Sequence, residues 1–205
     1  HAPICLWVRG RAEVLTRSGV GIVGARACTR YGERVAADLA EGAVGKGLTV
    51  VSGGAFGIDA AAHRSALAHG GATIALQAGG VDRFYPRAHT DLLREMCDAG
   101  GAVVSESPPG SAPMRQRFLM RNRLIAALSA GVVVVEASWR SGALNTARHA
   151  AEIYRPLGAV PGPVTSMASA GCHRIIREGM AVCVTDTDEM LELIGPLEIT
   201  EGHTS

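Results

Sequence analysis

The sequence is poor in lysine, in aromatic residues and in long apolar runs. Aromatics are 4% of 205 residues, which argues against a base-stacking sheet of the RRM or OB type. No apolar run approaches the ~18 residues of a membrane-spanning helix. The five cysteines (5, 28, 97, 172 and 183) are odd in number and form no CxxC pair. That argues against a zinc site or a disulfide scaffold and for a reducing compartment. GxSxG, HExxH and paired-carboxylate patterns are missing, so hydrolysis has only the isolated Glu136 and Asp59 behind it. Charged residues at 19% against 47% hydrophobic exclude a disordered chain.

Glycine is abundant, 26 residues, nearly twice the usual share of about 7%. It has no three-residue period, so tight turns and close backbone approaches are expected rather than a collagen helix. Lys46 is the only lysine among 20 Lys and Arg residues. A GC-rich coding bias explains this, yet the result is that every other fixed cation is a planar fork suited to phosphate. The net charge of +1 hides an uneven placement. Residues 111–155 hold seven arginines against Glu136 and Glu152, whereas residues 178–205 hold seven acids and no Lys or Arg.

Short β-branched runs alternate with amphipathic segments. Strands are expected at 4–8, 20–24, 48–52, 73–77, 102–105, 132–136, 158–160 and 181–184. Helices are expected at 33–45, 57–69, 89–99, 118–129, 143–154, 172–178 and 187–194. Several of the runs are apolar throughout, as strands covered on both faces are. The pattern predicts an α/β fold, an open, doubly wound, mostly parallel sheet of extended Rossmann-like type. Eight βα units of a closed barrel would need about 250 residues. One domain is expected over 1–195, with 196–205 as a C-terminal tail.

Ligands of such sheets bind beyond the carboxyl ends of the strands. After the second run come Gly24, Ala25 and Arg26, a glycine turn without GxGxxG or a downstream ribose acid. Arg26 is either a phosphate contact or a surface ion-pair partner. After the third run, Ser52, Gly53 and Gly54 precede a helix start and form a candidate phosphate cradle. Asp59 and His63, four apart, are either metal ligands or a helix cap with a satisfied partner. Arg115, Arg117, Arg121 and Arg123 crowd one helix, a spacing that repels unless a polyanion neutralises it. Phe118 between them is either a base-stacking ring or a core side chain. Ser141 and Gly142 make a further polar helix start. Glu136 is either a catalytic acid or an arginine's partner. The apolar stripe Met190, Leu191, Leu193 and Ile194 is either ordinary core or a dimer or partner surface.

These segments in this order resemble the DNA-processing protein A family (DprA, also called Smf). The resemblance rests on Gly24-Ala25-Arg26 with Thr29, Tyr31 and Gly32, and on the string from Ser52 to His63. It continues through Tyr85-Pro86, residues 105–108, Phe118 to Ile125, Ser141-Gly142 with Thr146, and residues 159–162. It covers nearly the whole chain. The resemblance implies a Rossmann-like core that binds single-stranded DNA, loads a RecA-type recombinase onto it, and protects incoming DNA in transformation. It also implies a cytoplasmic homodimer without cofactor, metal or membrane, acting by binding rather than as an enzyme. By position the DNA pocket falls on Arg26, Ser52, Gly53, Gly54, Arg115, Phe118, Arg121, Asn122, Ser141 and Gly142. Arg117 and Arg123 join it from the arginine-rich helix. Ala25 stands where the family usually has Ser or Thr, His173 where Asn is common, and Arg115 where Lys is frequent. Many relatives add a helical domain before this core and a winged-helix domain after it; activities that need them are not implied. The alternative from a different class is a nucleoside-monophosphate phosphoribohydrolase on a related fold. That family carries PGGxGTxxE where this chain has Ser141 to Thr146. About four neutralised phosphates would give a log–log salt slope near −3, at roughly −0.7 per contact.

Overall fold

A computed structural model describes residues 2–195. Eight strands form one sheet: β1 (Trp7–Gly10), β2 (Gly19–Val23), β3 (Thr49–Ser52), β4 (Thr73–Leu76), β5 (Ala102–Ser105), β6 (Gly131–Val134), β7 (Leu157–Ala159) and β8 (Val182–Cys183). Their spatial order is β1-β5-β4-β3-β2-β6-β7-β8, with only the β1–β5 pair antiparallel. This is the expected open, doubly wound α/β sheet. Strands β2 to β6 are buried along their whole length, which is why their runs lack alternation.

Helices α1 (Arg30–Gly45), α2 (Ile58–Ala68), α3 (Thr90–Asp98) and α7 (Thr187–Ile194) cover one face. Helices α4 (Arg115–Ala127), α5 (Ala143–Glu152) and α6 (Ala170–Arg177) cover the other. The α1 start is set by Thr29, whose hydroxyl accepts from the Gly32 N–H at 3.2 Å. Ala36, Leu39, Ala40 and Ala43 then face β2 and β3. Among the described residues no helix is long and apolar enough to cross a membrane.

Three local points refine the expected pattern. The first strand begins at Trp7, not at residue 4, because Ile4 is fully exposed and the ladder starts where Trp7 meets Ser105. Helix α4 starts at Arg115, so all four arginines share one helix and its first turn precedes the apolar periodicity that begins at Phe118. The α7 stripe is turned inward: Met190 is fully buried, Leu193 lies against Gly158 and Ile194 against Gly131. Met190 is thus a core side chain and closed to any partner. Leu191, Leu193 and Ile194 keep only part of their surface free. The expected tail, 196–205, lies outside the described residues.

Candidate nucleic-acid interface

The chain winds from β2 through β3, β4 and β5 in one direction, then returns to β6 on the other side of β2. The two halves therefore part between the carboxyl ends of β2 and β6, where open α/β sheets bind ligands. A crevice of about 620 Å³ lies there. Residues 24–27 form one wall, Ser138, Ser141 and Gly142 another, and Arg115, Phe118, Arg121 and Asn122 of α4 close it. Seven of the predicted residues, Arg26, Arg115, Phe118, Arg121, Asn122, Ser141 and Gly142, thus line one crevice from three distant chain segments.

The glycine turn after β3 is not an open phosphate cradle. The Asp59 carboxylate fills it, accepting from the Gly53 N–H at 3.0 Å and the Ala55 N–H at 3.2 Å. A Cβ at Gly53 would press on the Arg121 guanidinium and the Asp59 carboxylate, so glycine lets both groups close on the turn. Burial raises the Asp59 carboxyl above its ordinary range, against the pull of Arg121 and the N–H donors. Ser52 is fully buried, donating to the Ile22 carbonyl at 2.6 Å, and does not reach the crevice. His63 is also fully buried, with Nδ1 2.7 Å from the Thr73 hydroxyl. Burial, helped by His89 and Arg121, holds its imidazole down at about 3. Asp59 and His63 are therefore helix-start and core groups. Among the described residues no three His, Cys, Asp or Glu cluster as a metal site.

The α4 arginines divide by what packs around them. Arg121 is only 6% exposed and donates to the Gly53 carbonyl at 2.7 Å and to the Leu76 carbonyl. It bridges the ends of β3 and β4 beneath the crevice. Burial lowers its guanidinium to about 10, while Asp59 holds it up. Arg123 is turned away: it grips both Glu106 oxygens at 2.7 and 2.8 Å, so its charge is already matched. Arg117 is tied to the Ala112 carbonyl at 2.7 Å and does not line the crevice. Arg115 and Arg26 remain, both exposed and both lining it. Crowding on one helix is thus relieved by three carbonyls and one carboxylate as well as by any polyanion.

Phe118 lies between the cations. Arg26 Cζ is 5.2 Å and Arg121 Cζ 5.8 Å from its ring centre. Tyr85 meets the same ring at 5.7 Å. A narrower niche of about 60 Å³ opens beside it, walled by Phe118, Tyr85 and Phe56 and floored by Gly54 and Gln77. The chain has only eight aromatic residues, and three of them line this niche. Overall scarcity of aromatics is therefore no guide to their local density. No sequence pattern singles out Phe56, Tyr85 or Gln77 as site residues; the fold brings them together here. Gln77 accepts the Tyr85 N–H at 3.0 Å, which orients its amide.

Asn122 joins α4 to the start of α5, donating to Asn145 at 3.1 Å and to the Gly142 carbonyl at 3.4 Å. The Ser141 hydroxyl accepts from the Ala143 N–H at 3.3 Å. Glu136 is neither an arginine's partner nor free in the crevice. It accepts from the Thr29 N–H at 2.8 Å and the Thr29 hydroxyl at 2.6 Å, clamping β6 to the α1 cap.

Comparison with known proteins adds a relationship to this geometry. The family model for DNA recombination-mediator protein A matches residues 1–195. A DprA relative of Mycobacterium tuberculosis is 52% identical over 198 residues, covering 95% of this chain and 50% of its own. The X-ray structure of DprA from Streptococcus pneumoniae superposes with a TM-score of 0.86 at 41% identity, over 93% of this chain and 66% of that one. A structure of DNA processing protein A from Helicobacter pylori, described for its single-stranded DNA binding mode, gives 0.85 at 30% identity. It covers 93% of this chain and 86% of that one. The chain spans about half the length of the curated mycobacterial relative.

Proposed function

The chain belongs to the DNA recombination-mediator protein A family, and on that premise we propose that the switch-point crevice binds single-stranded DNA. The observation that carries the proposal is the pairing of two exposed guanidinium groups, Arg26 and Arg115, with the Phe118 ring in one crevice. Phosphates meet the guanidinium groups, and an unpaired base meets Phe118 and the aromatic niche. A duplex keeps its bases stacked and has none to offer the niche, so single strands are preferred. Ser141 and Gly142, at the start of α5, form the facing wall against which the strand lies. What the Helicobacter relative is described as binding agrees with this reading.

The competition experiment is direct. A labelled oligo-dT bound to the chain is displaced by unlabelled single strand and far less by matched duplex. Equal displacement by both contradicts the proposal. The family relationship extends it to the whole protein. There the bound strand is protected and passed to a RecA-type recombinase during transformation, by a cytoplasmic homodimer that binds its ligand without turning it over. Light scattering tests the dimer, and recombinase filament formation on coated DNA tests the loading step.

A further inference from the structure

We propose a second contact surface for the same strand, a tryptophan–arginine shelf that receives it as it leaves the crevice; this rests on the single-stranded DNA reading above. The chain has two tryptophans. Trp7 packs against a core cluster, whereas Trp139 is 53% exposed. The Arg174 guanidinium lies 5.1 Å from the centre of the Trp139 ring. Its Nε is buried without a hydrogen-bond partner, 3.8 Å from a Glu178 oxygen. Trp139, His173, Arg174, Arg177 and Glu178 line an open concavity of about 380 Å³. Two arginines against one carboxylate leave it positive, and the exposed Arg140 follows Trp139 in the chain.

The shelf adjoins the crevice through two chain segments. Ser138 lines the crevice and Trp139 the shelf; Ala168 lines the crevice and Ala170 the shelf. His173 donates from Nε2 to the Pro161 carbonyl at 2.6 Å, holding the loop that carries Ala168 against α6. A strand running out of the crevice past Ser138 therefore meets an exposed indole flanked by guanidinium groups. That is the composition that stacks a base and holds its phosphate without reading sequence. The surrounding positive charge favours a polyanion over an apolar protein segment.

The test uses Trp7→Phe, which leaves Trp139 as the only tryptophan. Its emission is followed during titration with oligo-dT of about 4 and about 15 nucleotides, within the span of single-strand site sizes. Both strands bind, and only the longer quenches Trp139. In the wild-type background, Trp139→Ala weakens the longer strand about ten-fold and leaves the shorter unchanged. Arg174→Ala with Arg177→Ala lowers the salt slope of the longer strand by about 1.4, at roughly 0.7 per lost contact. Tight binding of the longer strand with unaltered emission and unaltered affinity in Trp139→Ala overturns the shelf while the crevice reading stands. Quenching by the shorter strand equal to that by the longer overturns the order of crevice first and shelf second. Failure of both strands to bind overturns both readings.

Discussion

Replacing Arg121 by Met removes the cation that supports the floor of the crevice. The Gly53 and Leu76 carbonyls lose their donor, and the buried Asp59 carboxylate, which accepts from the Gly53 and Ala55 N–H groups, loses the cation across Gly53. Removing one partner of a buried charge pair costs about 3–5 kcal/mol. Asp59 and Arg121 make no direct ion pair, so the lower end, about 3 kcal/mol, applies. For a domain of this size each kcal/mol is worth about 2–4 °C, so the melting temperature falls by about 6–12 °C. Burial raises the Asp59 carboxyl in spite of Arg121, so Asp59→Asn, which keeps an oxygen for the two N–H groups, costs less than about 1 kcal/mol on its own. The double variant should lose less than Arg121→Met alone, with a coupling of about 2 kcal/mol. Thermal melts of the four proteins by circular dichroism read all of this. A melting temperature for Arg121→Met within about 2 °C of wild type, or strict additivity, would refute the reasoning.

Three further outcomes follow from the same contacts. His63 titrates near 6.5 when unfolded and at about 3 when folded, so its contribution is complete above pH 6.5 and is lost as pH falls towards 3. At pH 4.5 the loss is about 2–3 kcal/mol; Asp59, whose folded carboxyl is raised, offsets part of it. His63→Gln should narrow the difference in melting temperature between pH 7.5 and 4.5, and an unchanged difference would remove His63 from the account. Arg123→Ala should leave affinity for oligo-dT within about two-fold, since Glu106 already neutralises that charge. A loss as large as that of Arg26→Ala would mean the pair opens to DNA. Thr29→Ala removes both the α1 cap and the partner of buried Glu136. It should cost about 3 kcal/mol by chemical denaturation, against less than 1 for Thr29→Ser.

The strand and helix alternation was legible because β2 to β6 are covered on both faces and their runs are uniformly apolar. That a crevice would open beyond the carboxyl ends of the strands was legible too; which strands flank it was not, since that follows from the strand order. What each arginine does was not. Arg121 and Arg123 are two residues apart on one helix, yet one meets carbonyls from β3 and β4 and the other a carboxylate after β5. Those partners are set by sheet order, to which spacing along α4 is blind. The Asp59 carboxylate in the glycine turn is a local contact over six residues, and it competes directly with the anion-cradle reading of the same string. The α7 stripe carries one amphipathic signal for two outcomes, and only the packing of Met190 beneath the sheet's second half separates them. Phe56, Tyr85 and Phe118 come from three loops and helices that the topology alone brings together.

The central claim is that Arg26 and Arg115 hold phosphate in the crevice. The measurement is the salt dependence of anisotropy for a short labelled oligo-dT, wild type against Arg26→Ala/Arg115→Ala. Two contacts predict a log–log slope near −1.4 for the wild type and near zero for the variant. Both arginines are exposed, so the variant should melt with the wild type. Equal slopes and equal affinities for the two proteins would contradict the account.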